Sequence, residues 1–254
     1  MRLRVLGCSG GIGVGLRSTS MLLDEDILID AGTGVGDLRL EEMAALRHIF
    51  ITHSHLDHIA GLPLLLDSIF DRIKVPITLH GQPETLQALR DHIFNWVLWP
   101  DFTVLPSEQN GVLRMVEMRP GEVLELGGRR IEMIPVNHTV PGVAYRVACG
   151  ERTVAFSGDT TTNDTLWAAL NAHESLDLLI VEAAFPNRDQ ALSVQARHYT
   201  PTLLGADLEK LNHQPQIYVT HAKPGAEALI IAECRAAITT RAIELLSHGQ
   251  IFQL

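Results

Sequence analysis

Thr52-His53-Ser54-His55-Leu56-Asp57-His58 follows a short apolar run and carries the pattern H-x-H-x-D-H. In an extended chain side chains alternate with a period of two, so His53 and His55 share one side and can meet a single cation. Asp57 and His58 are consecutive. Once the chain turns toward a helix they point away from the first pair and can serve a second cation nearby. Two cations about 3.5–4 Å apart need a shared anionic ligand and further ligands from elsewhere in the chain. Those partners are sought where β-type runs end at Gly or Pro. His138 follows IEMIPV in NHTVPG, Asp159 follows TVAFS in SGDT, and His221 follows QIYVT in THAKPG. Strand-then-ligand placement repeated in this way predicts one rim shared by all seven side chains.

Outward from that motif, β-type runs are expected at residues 3–6, 20–23, 27–30, 48–52, 75–80, 123–126, 131–136, 144–148, 153–157, 178–182 and 217–220. Helices are expected from about residue 60 and at 84–94, 164–171, 201–211 and 226–246. The stretch HIFNWVLWPDF, with Trp96 and Trp99, is broken by Pro and reads as a loop. Two stretches share an order: strands, then a run ending in DILIDAGTG or RTVAFSGDTT, then helices. No linker rich in Ser, Gly or charge separates them. The expected fold class is α+β, a four-layer αββα sandwich of two packed ββα halves, about 1–120 and 121–254, within one domain 1–254.

Composition narrows the function. With 254 residues, 46% of them apolar, the chain can bury a core without disulfide staples. A net charge of −10 opposes attraction to a polyanion, so long nucleic acid is disfavoured as a partner. Cys8, Cys149 and Cys234 are odd in number and form no C-x-x-C pair, which fits a reducing compartment, with cytoplasm the default. The apolar run of MRLRVLGCSGG breaks at Gly7, and no stretch reaches the roughly 18 apolar residues of a membrane span, so no membrane partner is expected. Assembly as a homodimer is left open.

The set H-x-H-x-D-H, then a single His, an Asp and a last His resembles the metallo-β-lactamase superfamily. LGCSGGIG, LIDAGTGVGDL, THSHLDHIAGLPLLLDSIF, FNWVLWPDF, IVEAAFPN, RHYTP and VTHAKPG are similar to the class II 3′,5′-cyclic-nucleotide phosphodiesterases. The resemblance implies one metal held by His53, His55 and His138, another by Asp57, His58 and His221, and Asp159 bridging both. His198 matches a histidine used near the leaving group, and Glu182 its orienting carboxylate. Family members often read H-L-T-P and EVSFPN where this chain has His198-Tyr199-Thr200-Pro201 and EAAFPN. Neither change removes a chemical group.

The implied chemistry is hydrolysis of a small cyclic nucleotide, cAMP-like, to a 5′-nucleoside monophosphate. Paired divalent cations lower the pKa of a coordinated water toward about 7, and Asp57 and Asp159 are placed to orient it. An all-nitrogen-and-oxygen donor set favours Zn²⁺ and is compatible with Mn²⁺ or Fe²⁺. Alternatives are a ribonuclease Z-like nuclease and a cyclic-nucleotide-binding protein without turnover. In the nuclease a long tRNA-gripping arm lies between the single His and the bridging Asp. Here one hairpin, VAYRVACGERTVAFS, fills that gap. GCSGGIG and GTGVG lack the G-x-G-x-x-G spacing and read as tight turns. Trp96 and Trp99 read as packing residues that could also stack a purine, Met115, Met118 and Met133 as packing, and Cys8 as a buried thiol. His48, His80, His92, His173, His213 and His248 carry no metal spacing.

Overall fold

The computed structural model describes residues 1–254. β1 (Arg2–Gly7), β2 (Ser20–Leu23), β3 (Ile27–Ile29), β4 (His48–Phe50), β5 (Ile77–Gly81) and β6 (Leu113–Glu117) follow one another in the first sheet. β7 (Val123–Leu126), β8 (Arg129–Val136), β9 (Gly142–Cys149), β10 (Arg152–Phe156), β11 (Leu178–Glu182), β12 (Gln216–Thr220) and β13 (Ile243–Leu245) build the second. The last strand, β14 (Ile251–Gln253), returns to the first sheet and pairs antiparallel with β1, Arg2 opposite Gln253. The end of the chain therefore completes the sheet that its beginning starts.

Both sheets repeat one plan. β1–β3 and β7–β10 are antiparallel hairpins, whereas β3–β6 and β10–β13 run parallel. Parallel neighbours need crossovers, and helices mostly supply them. α1 (Leu40–Ala45), α2 (Leu56–Ile59), α3 (Leu62–Ser68) and α4 (Pro83–His92) serve the first sheet. α5 (Thr165–Asn171), α6 (Gln190–Ala196), α7 (Pro201–Leu208) and α8 (Glu227–Ala237) serve the second.

A sheet covered on both faces needs apolar residues on both, and β11 (LLIVE) shows the consequence. Leu178 and Ile180 join the core between the sheets with Leu3, Val5, Phe50, Met133 and Tyr145. Leu179 and Val181 join the outer core under the helices with Trp167, Leu204 and Ile230. A third core, with Leu28, Ile49, Leu65 and Leu89, lies on the outer side of the first sheet. The layers are thus α, β, β, α.

The parallel strands of each sheet all leave at one edge, and β8, antiparallel to β9 and so aligned with β10, leaves there as well. The residues after β3, β4, β8, β10, β11 and β12 consequently gather on a single rim.

Several expectations are corrected. The final helix stops at Ala237 instead of Leu246, because Ile238-Thr239-Thr240 is β-branched and Ile243–Leu245 pairs parallel with β12, burying Ile243. The helix expected from residue 60 begins at Leu56 as α2 and resumes as α3 after Gly61. Pro76 delays the strand expected from residue 75 until Ile77. β6 and β14 had no counterpart in the sequence reading. No helix is long and apolar enough to cross a membrane.

Candidate metal centre

β4 ends at Phe50, and the chain then runs extended through His53 and His55 before Asp57 and His58 fall in α2. This local geometry separates the two pairs. His53, His55, His138 and Asp159 form one group of ligand atoms within 4.8 Å of one another; Asp57, His58, Asp159 and His221 form a second on the same criterion. All seven residues named from the sequence stand on the rim, and Asp159 belongs to both groups.

Contacts within each group are those of donors facing a common point. His55 Nδ1 lies 3.0 Å from His138 Nε2. Asp159 Oδ2 lies 3.6 Å from His53 Nε2 and 3.1 Å from His221 Nε2, and Asp57 Oδ2 lies 3.2 Å from the same His221 nitrogen. Asp159 Oδ1 lies 3.3 Å from His58 Nε2. The Nε2 atoms of His53 and His58 and Asp159 Oδ1 are buried without a hydrogen-bond partner. Buried polar atoms are rarely left so, and divalent cations in this donor set would satisfy them. The residues fit a pair of metal ions.

The far ring nitrogens are fixed. His58 Nδ1 lies 2.7 Å from Asp30 Oδ2. Thr52 Oγ1 donates to Asp30 and stands 3.0 Å from His53 Nδ1, and His138 Nδ1 lies 3.0 Å from the Arg197 carbonyl oxygen. A carbonyl or carboxylate only accepts, and Thr52 Oγ1, its proton given to Asp30, accepts from His53 as well, so each bond fixes a proton on Nδ1 and leaves Nε2 facing inward.

Charge follows the same design. Burial disfavours the charged form of His58, but Asp159 and Asp30 outweigh it and hold its pKa well above the usual imidazole value. The field that retains this extra proton is the field that would hold a cation, and metal binding would release it. Burial drives His53 well below the ordinary value and His138 down to about 4, which keeps both neutral. For Asp57 burial acts upward, yet its bond to His221 and the charges of His58 and His221 win, holding it below the usual carboxylate range.

His198 and Glu182 stand beside this centre as a pair. His198 Nδ1 lies 2.7 Å from Glu182 Oε1, and the His198 ring stacks 5.2 Å from that of His221. Burial lowers the pKa of His198, but the charge and hydrogen bond of Glu182 more than offset it, and the net shift is upward. Glu182 also accepts from the backbone N–H groups of Thr160, Ala184 and Tyr199, so one buried carboxylate ties together three rim segments.

Two glycines make the close packing feasible. A Cβ on Gly10 would lie 2.3 Å from the His221 carbonyl oxygen. Gly158, just before Asp159, has φ +59°, and a Cβ there would lie 2.6 Å from the Val143 carbonyl oxygen.

Asp30, Thr52 and Arg197 were not singled out from the sequence. Asp30 lies in LIDAGTG, where Asp before small residues reads as a turn, and it is fully buried with φ +56°. Because it orients both His58 and Thr52, Asp30→Asn is expected to weaken binding of one cation about 10–100-fold. Competition against a chromophoric chelator measures this; unchanged affinity would reduce Asp30 to a packing residue. Of the remaining histidines, His48 pairs with His80, His173 with Glu132, His213 with the Leu170 carbonyl and His248 with Asp37, while His92 is exposed at the end of α4. Met118 and Met133 are buried in the inter-sheet core, and Met115 packs on the outer one. Cys8 is half-buried rather than buried, since it lies at the rim, and burial pushes its thiol up to about 11. Trp99 packs on the outer core of the first sheet while Trp96 is exposed. Their segment is tied to the start of β6 through Leu113 N–H donating to Phe102, at the sheet edge opposite the rim, which does not favour purine stacking there.

Two face-to-face sheets with a histidine- and aspartate-lined rim define a protein of the metallo-β-lactamase fold. A family model described as Beta-lactamase superfamily domain matches residues 25–237, and the chain belongs to that superfamily. A probable 3′,5′-cyclic-nucleotide phosphodiesterase of Yersinia pestis is 32% identical over 204 residues, 71% of this chain and 58% of that protein. The chain thus spans less than two thirds of that relative. A ribonuclease Z of Bradyrhizobium sp. is 26% identical over 268 aligned positions, covering 83% of this chain and 84% of that enzyme. The crystal structure of unliganded yeast PDE1 superposes with a TM-score of 0.86 at 18% identity, covering 100% of this chain and 99% of that one.

Proposed function

We propose that the chain is a dinuclear-metal phosphodiesterase that hydrolyses 3′,5′-cyclic nucleotides to 5′-nucleoside monophosphates. The observation that carries the reading is the His198–Glu182 pair, buried beside the two ligand groups and held at 2.7 Å. His53, His55 and His138 would hold one ion, Asp57, His58 and His221 the other, and Asp159 both. When bound, divalent cations, Zn²⁺ first for a nitrogen-and-oxygen donor set and Mn²⁺ or Fe²⁺ as alternatives, neutralise phosphoryl charge and acidify the attacking water.

The chain's own residues do the rest. Asp57 and Asp159 orient the water, which releases one proton to solvent as its oxygen bonds to phosphorus and the bond from phosphorus to O3′ breaks. His198 gives its Nε2 proton to O3′, because an alkoxide is a poor leaving group, and Glu182 stabilises the imidazolium before that transfer. The 5′ linkage remains, so the product is a 5′-monophosphate. A net charge of −10 suits a small substrate better than a long polyanion. Three free cysteines fit a reducing compartment such as the cytoplasm.

Ribonuclease Z activity is the second reading, because that relative aligns over most of its own length. Its alignment of 268 positions exceeds the 254 residues of this chain, so that enzyme carries insertions absent here. Between His138 and Asp159 this chain has only the β9–β10 hairpin. Purified protein is expected to release 5′-AMP from 3′,5′-cAMP and to leave precursor tRNA untrimmed. Efficient trimming without 5′-AMP release would reverse the assignment.

A further inference from the structure

Arg197 ends α6 in the left-handed region, φ 53° and ψ 55°, a conformation that glycine adopts freely and a residue with a Cβ does not. Strain retained at a functional rim calls for a compensating contact. Arg197 has two, both to the segment that carries His138. Its carbonyl oxygen lies 3.0 Å from His138 Nδ1, and its Nη1 donates to the His138 carbonyl oxygen at 2.7 Å. The same Nη1 lies 3.5 Å from Asn137 Oδ1.

The opposite side of that segment is tied to the residues after Asp159. Thr161 N–H donates to the Asn137 carbonyl at 3.0 Å, and Asn137 Nδ2 donates to the Thr162 carbonyl at 2.9 Å. Arg197 directly precedes His198, whose ring lies 5.0 Å from that of His138. The arginine therefore closes a ring of three loops that carry a ligand of one group, the carboxylate common to both groups, and the proton donor.

We infer that Arg197 is a positioning residue that aims His138 at the metal. The backbone carbonyl fixes the Nδ1 proton, and the guanidinium holds that carbonyl in place by gripping the His138 backbone in return. Any residue supplies the carbonyl, whereas the second half of the clamp needs a long cationic side chain that reaches the His138 carbonyl. The inference rests on the proposed ligand set and not on the substrate.

Arg197→Gly separates positioning from ordinary stabilisation, because the two act in opposite directions. Glycine relieves the backbone strain while removing the guanidinium. Metal-free Arg197→Gly is expected to melt at the wild-type temperature or up to about 3 °C above it. Its affinity for one of two Zn²⁺ ions, by chelator competition, is expected to fall about 10-fold or more. Arg197→Lys, which keeps one donor for the His138 carbonyl, is expected to recover part of that loss. Wild-type protein binding fewer than two ions would refute the ligand set itself. Two ions in the wild type with unchanged affinity in Arg197→Gly, or Arg197→Lys no better than Arg197→Gly, would overturn the inference.

Discussion

Asp159→Asn is expected to lower kcat/KM by about 10³-fold or more on 3′,5′-cAMP and on bis(p-nitrophenyl) phosphate alike, and to reduce bound metal below two ions per chain. Asp159 is the one residue common to both ligand groups, fully charged and within 3.1–3.6 Å of His53, His58 and His221. Burial acts to raise its pKa, but the charges of His221 and His58 prevail and hold it well below the usual carboxylate range. The loss of several kcal/mol of charge stabilisation by a metal pair corresponds to that factor in rate. Elemental analysis beside the kinetics decides the point: two ions and full activity in Asp159→Asn would remove the bridging role.

His198→Ala is expected to discriminate between substrates. His198 lies close to Asp159 and Glu182 but is absent from the two groups that hold the histidines of the H-x-H-x-D-H motif, so the variant should keep both ions. A positioned imidazole contributes about 10²–10⁴-fold when it protonates a poor leaving group. Loss of about that factor is expected on 3′,5′-cAMP, and much less on bis(p-nitrophenyl) phosphate, whose phenolate leaves unaided. Glu182 raises the pKa of His198, so the protonated imidazole persists to a higher pH than an ordinary histidine would allow. Activity on cAMP should fall as pH rises through that value, with no such limb for the aryl ester. Equal losses on both substrates would assign His198 to binding or metal support. Glu182→Gln is a poorer probe, since its amide would face the N–H groups of Thr160, Ala184 and Tyr199 that the carboxylate now accepts.

The parts of this centre that could be read from sequence are those carried by local pattern. His138, Asp159 and His221 each follow an apolar run at a Gly or Pro, and parallel strand direction converts that position into a shared rim. Asp30 and Arg197 gave no such signal, because their importance lies in bonds to residues 28 and 59 positions away. The same limit applies to the fold. β14 has three residues, and its pairing with β1 joins the two ends of the chain. β13 reads as a helix continuation until its partner strand β12 is known, since short apolar segments take their conformation from what they pack against.

Metal-free protein titrated with Zn²⁺ and assayed for 5′-AMP release from 3′,5′-cAMP tests the proposed function most directly. Activity is predicted to rise to a plateau at two equivalents per chain, with 5′-AMP as the product. A plateau at one equivalent, or two bound equivalents with no 5′-AMP formed, would contradict it.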